Sequence, residues 1–421
     1  ATDQEVLGSN PSRRTNIMVL FEKKILFILI AGFTVRLTSI LFFGDTIIDK
    51  EWGAMLFNLE NNQVLSSRSV DGHPVPNLFM PPLYAFFLYL IKIISGANFF
   101  VIFCLSTQLL ISTISIFLFY KTLLEFFNNN YSLVGTFIYT FFPLNIYAVS
   151  QISSITLQML LLNIFFLTYI KVYKNLNYLN SLIFSLTSGL LILLRGEFFI
   201  FVFFSLVYLA LSNKQFVKIL VILIMISLII SPYVKRNYEI FEVITITKST
   251  GFNLLKGNNP LAKVEGVPIF GDIGGVIPEV KSEIDKLKKE GPIPKHDLIK
   301  DQILLNQAIN FIKDDPSRYL KLYGQKFLSY LFIDFNSTYP NYYSFYHILP
   351  KILLSLTTLI GVILAFRIQL NIMNYFIFFY FANIGLFSIF FILPRYSLIL
   401  LPIQVILSLE GLRILIRKVI D

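Results

Sequence analysis

The sequence predicts an all-α polytopic membrane protein: about ten transmembrane helices, interfacial helices beside them, and one small soluble segment on the outer side. Three observations carry this. Of 421 residues, 55% are hydrophobic and only 14% charged, with a mean hydropathy of +0.70, more apolar surface than a soluble domain of this length buries. The apolar residues gather into ten runs at or near spanning length. Lys and Arg lie between those runs rather than on one face, so the net charge of +10 reads as topology signals and affinity for anionic headgroups. No nucleic-acid partner is expected.

Residues 1–17 are polar and precede "MVLFEKKILF", so they are expected to be a leader outside the native chain, with Met18 as its start. The ten candidate spans are Ile25–Phe43, Phe99–Leu118, Leu133–Val149, Ile155–Ile170, Leu179–Leu194, Phe198–Leu211, Ile219–Val234, Ile348–Phe366, Ile372–Leu393 and Leu398–Ile416. A further stretch, residues 80–96, begins with Pro81–Pro82 and carries Lys92 before a Ser-Gly break. Its apolar part is too short to span, so it is placed at the outer surface. Lys23/Lys24, Lys121, Lys171/Lys174, Lys214/Lys218, Arg367 and Arg413/Arg417/Lys418 then share one side, the cytoplasm by the positive-inside rule.

The chain divides accordingly. Residues 18–234 form an N-terminal transmembrane module with an acidic first outer loop, 44–82. Residues 235–346 form an outer-side, periplasmic soluble segment, and 347–421 hold the C-terminal spans. In the soluble segment Asp315 is expected to cap a helix with Pro316 at its first position. The single Cys, Cys104, lies in an apolar run and is expected to be a buried small residue.

The acidic loop holds "GDTIIDKEWGAM", with Asp45, Asp49 and Glu51 just where the chain leaves the first span. Trp52, Met55, Leu56 and Leu59 recur at helical spacing, which predicts an amphipathic helix in the interface. Asp49 would sit at its start, either as a simple cap or as a base that accepts a proton from an incoming hydroxyl. Arg195, Lys235, Arg236 and Arg395 lie at span exits on the same side. Each alone could snorkel to the interface, but together they suit a phosphate held at the membrane surface. Arg36, inside the first span, is expected to face the bundle interior. The three His (His73, His296, His347) show no ligand spacing, and no phosphate-binding glycine loop is present. No ligand set for a divalent metal is discernible, and no cofactor is firmly implied.

These pieces resemble the GT-C superfamily of integral-membrane glycosyltransferases, in the bacterial branch similar to dolichyl-phosphate-mannose–protein mannosyltransferases and aminoarabinose (lipid A) transferases. The resemblance rests on motifs in order: Asp49-Lys50-Glu51-Trp52 running into "GAMLFNL", Pro81-Pro82-Leu83-Tyr84, "LLRGE" at 193–197, Pro232 through Arg236-Asn237-Tyr238, "TGFNLLKGNNP" at 250–260, and "PRYSLILLP". It covers about Ile25 to Ile416. Two departures stand out. The family often has a Glu after the third span, whereas "QISSITLQM" offers no acid, and Trp52 replaces a more usual Tyr.

The resemblance implies an inverting transfer of a sugar from a polyprenyl-phosphate-linked donor to an acceptor at the outer face of a bacterial cytoplasmic (inner) membrane. The acceptor class stays open among glycan, lipid and protein. It makes Asp49 the candidate base, with Glu51 or Asp71 as the acid the third span lacks, and Arg195, Lys235, Arg236 and Arg395 the donor-phosphate ligands. Asp71, His73, Tyr84 and Asn258 are candidate residues of the acceptor or donor loops. The alternatives are a lipid-linked oligosaccharide polymerase or ligase, and a transporter or flippase of lipid-linked sugars.

Overall fold

Helix caps, prolines and one glycine decide where the apolar runs become separate helices. The computed structural model describes residues 11–48, 50–70, 72–266, 278–289, 295–337, 344–367 and 371–420. Chain order is α1 (Pro11–Phe43), α2 (Lys50–Asn61), a hairpin of β1 (Arg68–Val70) and β2 (His73–Val75), α3 (Leu83–Leu124), α4 (Asn129–Phe141) and α5 (Pro143–Ser150). There follow α6 (Ile155–Lys174), α7 (Tyr178–Leu194), α8 (Phe198–Asn213), α9 (Phe216–Phe241) and α10 (Thr250–Gly257). Next come α11 (Pro278–Lys289), α12 (His296–Asp314), α13 (Pro316–Leu331), α14 (Phe345–Ala365) and α15 (Ile372–Ile389). A 3₁₀ segment (Pro394–Leu400) leads into α16 (Leu401–Ile420).

The described residues contain seven helices long and apolar enough to cross a membrane, one bent pair that passes together, and two shorter apolar helices, α7 and α8. The chain is a multi-pass membrane protein: seven of the ten runs read from the sequence fall in the long helices, one in the bent pair and two in the shorter helices. α6 is the hub: 78% of its span is buried, against 17% for α9, which therefore presents most of its surface outward. Around it α3 and α7 pack directly, α1 lies against α3, α4 and α5, and α14 crosses α16. That last crossing depends on small residues. A Cβ on Gly361 would sit 2.0 Å from the Leu407 carbonyl oxygen, so only glycine allows the backbones so close.

Local chemistry sets the starts. Asn128, Asn177 and Asn371 each accept a hydrogen bond from the N–H three residues on, at 3.2, 2.8 and 3.0 Å. Asp315 accepts from Arg318 N at 3.1 Å with Pro316 first in its helix, as the sequence led one to expect. α2 buries Met55 and Leu56 and leaves Phe57 and Glu60 outside, so the amphipathic face is the expected one. Trp52 meets Tyr84 edge-on at 4.8 Å between ring centroids, which seats α2 on the start of α3. Arg36 is fully buried and donates to Ser112 and Gly32, and Cys104 is buried.

Several boundaries differ from the sequence reading. The third span, Leu133–Val149, is not one rod but α4 and α5, bent by 50°. Phe142, before Pro143, is extended at φ −65°, ψ 118°, because a residue preceding proline is pushed out of the helical region. The helix of the seventh run does not end at Val234. α9 continues to Phe241 through Pro232, so Lys235 and Arg236 lie within a helix. The stretch 80–96 is helical from Leu83 and joins the second span across Gly96, whose φ of 69° marks the expected break. Within 235–346, Leu255, Val280, Ile284, Leu304 and Ala308 form a small core of their own, and Tyr330 and Leu331 belong to the main core.

Candidate active site

The turn between α7 and α8 builds the first half of the site. α7 ends at Arg195 in an extended conformation, followed by Gly196 and Glu197. A Cβ on Gly196 would lie 2.7 Å from Thr247 Oγ1, so the turn is pressed against the loop before α10. Arg195 Nε donates to Glu197 Oε1 at 2.6 Å and Nη1 to Gln158 Oε1 at 2.8 Å, while its guanidinium faces the Tyr396 ring at 5.4 Å. Burial works against this charge. Glu197 and the neighbouring Tyr396 and Tyr330 more than offset it, so Arg195 titrates above the ordinary arginine value.

The second half comes from the 3₁₀ segment after α15. The Arg395 guanidinium lies 5.8 Å from the same Tyr396 ring, so two arginines meet one aromatic side chain. Tyr330 Oη, from α13, is within hydrogen-bond distance of the Tyr396 carbonyl (2.9 Å) and Asn383 Oδ1 (2.8 Å), which fixes the ring's backbone.

α10 brings a third cation. Lys256 Nζ sits 4.4 Å above the Phe391 ring, within electrostatic reach of Arg395 and Glu51. Burial and the nearby Arg395 push its pKa below the ordinary lysine value, and Glu51 pulls it back up. The sequence forces this proximity. A Cβ on Gly257 would lie 1.9 Å from the Phe390 carbonyl oxygen, and Ile392 N donates to Val264 O at 2.9 Å. Lys326 Nζ closes the end of α10, donating to Gly257 O at 2.8 Å and to Asn258 Oδ1 at 3.1 Å. Burial lowers Lys326 to about 7.

Glu51, exposed in the first turn of α2, is thus within electrostatic reach of Lys256. Glu197 pairs with Arg195, but neither Arg395 nor Lys256 has an ion pair among the described residues. Among the described residues the cluster thus gathers two cations without ion pairs and one paired with Glu197 beside a carboxylate, an arrangement that can hold an anion next to a proton acceptor.

The other residues singled out in the sequence fall elsewhere. Asp49 and Asp71 lie outside the described residues. Arg236 Nη1 donates to Asn77 O and Asn237 Oδ1 at 2.9 and 2.8 Å, and its guanidinium packs on Tyr233 and Phe241. Lys235 is exposed and pairs with Glu239 at 3.6 Å. Asn258 Nδ2 bridges Leu254 O and Ile389 O at 3.0 and 2.8 Å, holding α10 to the end of α15. Tyr84 is buried with its hydroxyl on Gln108 Oε1, and His73 is exposed on β2.

Asp45 has a defined place instead. Its Oδ2 accepts from Ile152 N at 2.6 Å and its N–H donates to Ser150 O at 3.0 Å, so the first loop's acid occupies the turn after the third span. That is the turn where "QISSITLQM" lacks an acid of its own. Among the described residues no three of His, Cys, Asp and Glu converge as a metal-binding group.

Sequence reasoning missed Lys256, Gln158, Tyr330 and Tyr396. Lys256 and Tyr396 sit inside motifs already quoted, and a cation flanked by Leu-Leu and Gly-Asn-Asn was the available signal. Gln158 and Tyr330 had none, since only the fold brings α6 and α13 to Arg195.

No protein-family model matches the sequence. No curated protein matches it either. Solved structures do. An Archaeoglobus fulgidus oligosaccharyltransferase, tethered to an acceptor peptide containing the NVT sequon, aligns over 94% of this chain with a TM-score of 0.51 and 14% identity. The same enzyme in its apo form aligns over 94% with a TM-score of 0.50 and 14% identity. The chain spans about half of their length, 50% and 51%. At that identity the likeness is one of fold: the helical membrane fold expected from the sequence is shared with this oligosaccharyltransferase.

Proposed function

We propose that the chain is an inverting glycosyltransferase that moves a sugar from a polyprenyl-phosphate-linked donor to an acceptor hydroxyl at the outer face of a bacterial cytoplasmic (inner) membrane. One observation carries the reading: Arg195, Arg395 and Lys256 gather beside Tyr396 and Phe391, with Glu51 at their edge. The fold likeness to a membrane oligosaccharyltransferase supports it.

In the reaction the acceptor oxygen forms a bond to the anomeric carbon as the bond from that carbon to the phosphate oxygen breaks. The electron pair leaves with the lipid phosphate, whose growing charge Arg395 and Lys256 stabilise. The acceptor proton passes to a carboxylate, Asp49 or Glu51. Arg195 is held by Glu197 and Gln158, so it acts as a preset wall rather than a mobile clamp. The bilayer and the polyprenyl-phosphate sugar are the expected partners, together with a glycan, lipid or protein acceptor.

A diphosphate donor, as a lipid-linked oligosaccharide polymerase or ligase would use, is the second reading. The presence of three cations where one phosphate needs fewer favours it. No feature favours the transporter or flippase.

The test is Asp49→Asn and Glu51→Gln in membranes supplied with radiolabelled polyprenyl-monophosphate and polyprenyl-diphosphate sugars. Wild type is expected to release label from the monophosphate pool, and the variant lacking the base to lose roughly 10²–10⁴-fold in rate. Release only from the diphosphate pool would move the protein to the second reading. No release from either pool would sink the enzyme assignment.

A further inference from the structure

Lys351 lies six residues into α14, about 9 Å below its start at 1.5 Å per residue. Its side chain is 4% exposed, and its Nζ has no hydrogen-bond partner among the described residues. One turn further on, the Ser355 hydroxyl is buried and unpartnered as well. A buried ammonium at this depth needs an anion or must release its proton. Arg36, the other deeply buried cation of the spans, differs, since its Nε and Nη1 already donate to Ser112 and Gly32.

Lys351 lines a narrow cleft together with His347, Ser397, Phe142, Pro143 and Leu144. The break in the third span opens the start of α5 onto it. Phe142 offers no side-chain cap, Pro143 has no N–H, and Leu144 is too early in the helix for its N–H to find an intrahelical acceptor. The positive end of the helix dipole points the same way. Among the described residues no carboxylate lines the cleft, so the unpartnered ammonium and the start of α5 face it without a counter-charge, while the Ser397 hydroxyl is held by Pro394 O at 2.8 Å.

The geometry points to a second phosphate site, distinct from the Arg195–Arg395–Lys256 cluster: the cleft takes one oxygen of an anionic lipid phosphate. The size of the cleft argues for this source. Its interior has room for about one water-sized centre, ≈ 10 Å³, so a whole phosphate ion does not enter. A single phosphate oxygen does, with the rest of the headgroup outside, and Lys351 lies within the first two turns of α14, near one end of that span. The 3₁₀ segment that carries Arg395 and Tyr396 also carries Ser397, so a lipid seated here would brace that segment from behind.

Native mass spectrometry of the full chain in detergent tests this, with phosphatidylglycerol, diacylglycerol and sodium phosphate as separate additions. Wild type is expected to retain one more phosphatidylglycerol than Lys351→Met, the variant binding that copy about tenfold more weakly, a loss of about 1.4 kcal/mol. Diacylglycerol, which lacks the phosphate, is expected to show no difference. Lys351→Gln, which keeps a polar side chain of similar reach without the charge, is expected to show the same loss and gives a second reading should Lys351→Met aggregate. Equal retention by wild type and a monodisperse Lys351→Met would overturn the site. Displacement of the lipid by excess sodium phosphate would overturn the lipid source. Binding needs no turnover, so this result and the transferase assay fail independently. Arg395→Met is expected to lower transfer roughly 10²–10³-fold and leave this lipid count unchanged.

Discussion

Arg195 and Arg236 read alike in the sequence and differ in the structure. Each follows a long apolar run, each belongs to a motif, and each was expected to hold a lipid phosphate. Arg195 ends its helix in an extended turn and faces Tyr396 across from Arg395. Arg236 stays inside α9, and its donors go to Asn77 O and Asn237. The difference comes from the backbone. A helix that stops frees its terminal side chain to meet other elements, while one that continues commits that side chain to its own neighbours. Asn237 then joins α9 to the loop before α10 through Thr245 O and Ile246 O. That region is a brace and the α7–α8 turn is a wall of the site.

The largest expected effect separates the two directly. Arg395→Met, or Lys256→Met, removes a group aimed at the leaving phosphate and should lower transfer roughly 10²–10³-fold. Arg236→Met should leave turnover within about threefold, because no phosphate contact is lost. Steady-state kinetics of the purified variants decide it. Equal losses at both positions would erase the distinction drawn here.

Much of the fold was legible because apolar length is a strong signal, and the ten runs need no tertiary context to be found. The breaks inside them were less so. Pro143 interrupts its helix, yet Pro232 and Pro350 are absorbed within theirs, and no local rule separates the three cases. The site was legible in part for a similar reason. Motifs singled out both Arg195 and Arg395, which meet at the Tyr396 ring, but Glu197 and Gln158, which hold Arg195, come from a turn and from a helix far away in sequence. Asn258 looked like a loop residue for a ligand, and its amide instead ties α10 to α15.

A smaller effect sharpens the role of α10 as carrier of Lys256. Lys326 titrates at about 7 in the folded protein, well below the ~10.4 of an unfolded lysine. The unfolded chain therefore binds this proton more readily between those values. Its contribution to stability is full above the unfolded value and is lost as pH falls through 7. Protection of α10 amides against hydrogen exchange should rise by roughly 1–3 kcal/mol from pH 7 to 9, after correction for intrinsic exchange. Lys326→Met should flatten that dependence. A wild-type profile already flat would mean that Lys326 stays charged under its two acceptors.

Next in size is the brace itself. Arg236→Met leaves Asn77 O without its donor and Asn237 Oδ1 without its partner, so a loss of about 1–3 kcal/mol in stability is expected. Thermal unfolding in detergent would register it as a lower midpoint, with the affinity for donor little changed. A stable variant with weakened donor binding would return Arg236 to the site.

The smallest effect belongs to Lys235, one residue earlier on the same helix. Its ammonium is exposed and 3.6 Å from Glu239, one turn on. Exposed pairs at this spacing contribute roughly 0.3–0.5 kcal/mol, screened further by salt. Lys235→Ala should therefore change neither the unfolding midpoint nor transfer beyond experimental scatter, while Arg236→Met shifts the first and Arg395→Met the second. The three basic residues would then rank by what their donors touch: bulk water, a backbone carbonyl, or the open face of the cluster. A Lys235→Ala variant that lost transfer at low salt and recovered it as salt rose would break the ranking. It would show that Lys235 draws the donor in through its long-range field, a role that contact geometry cannot register.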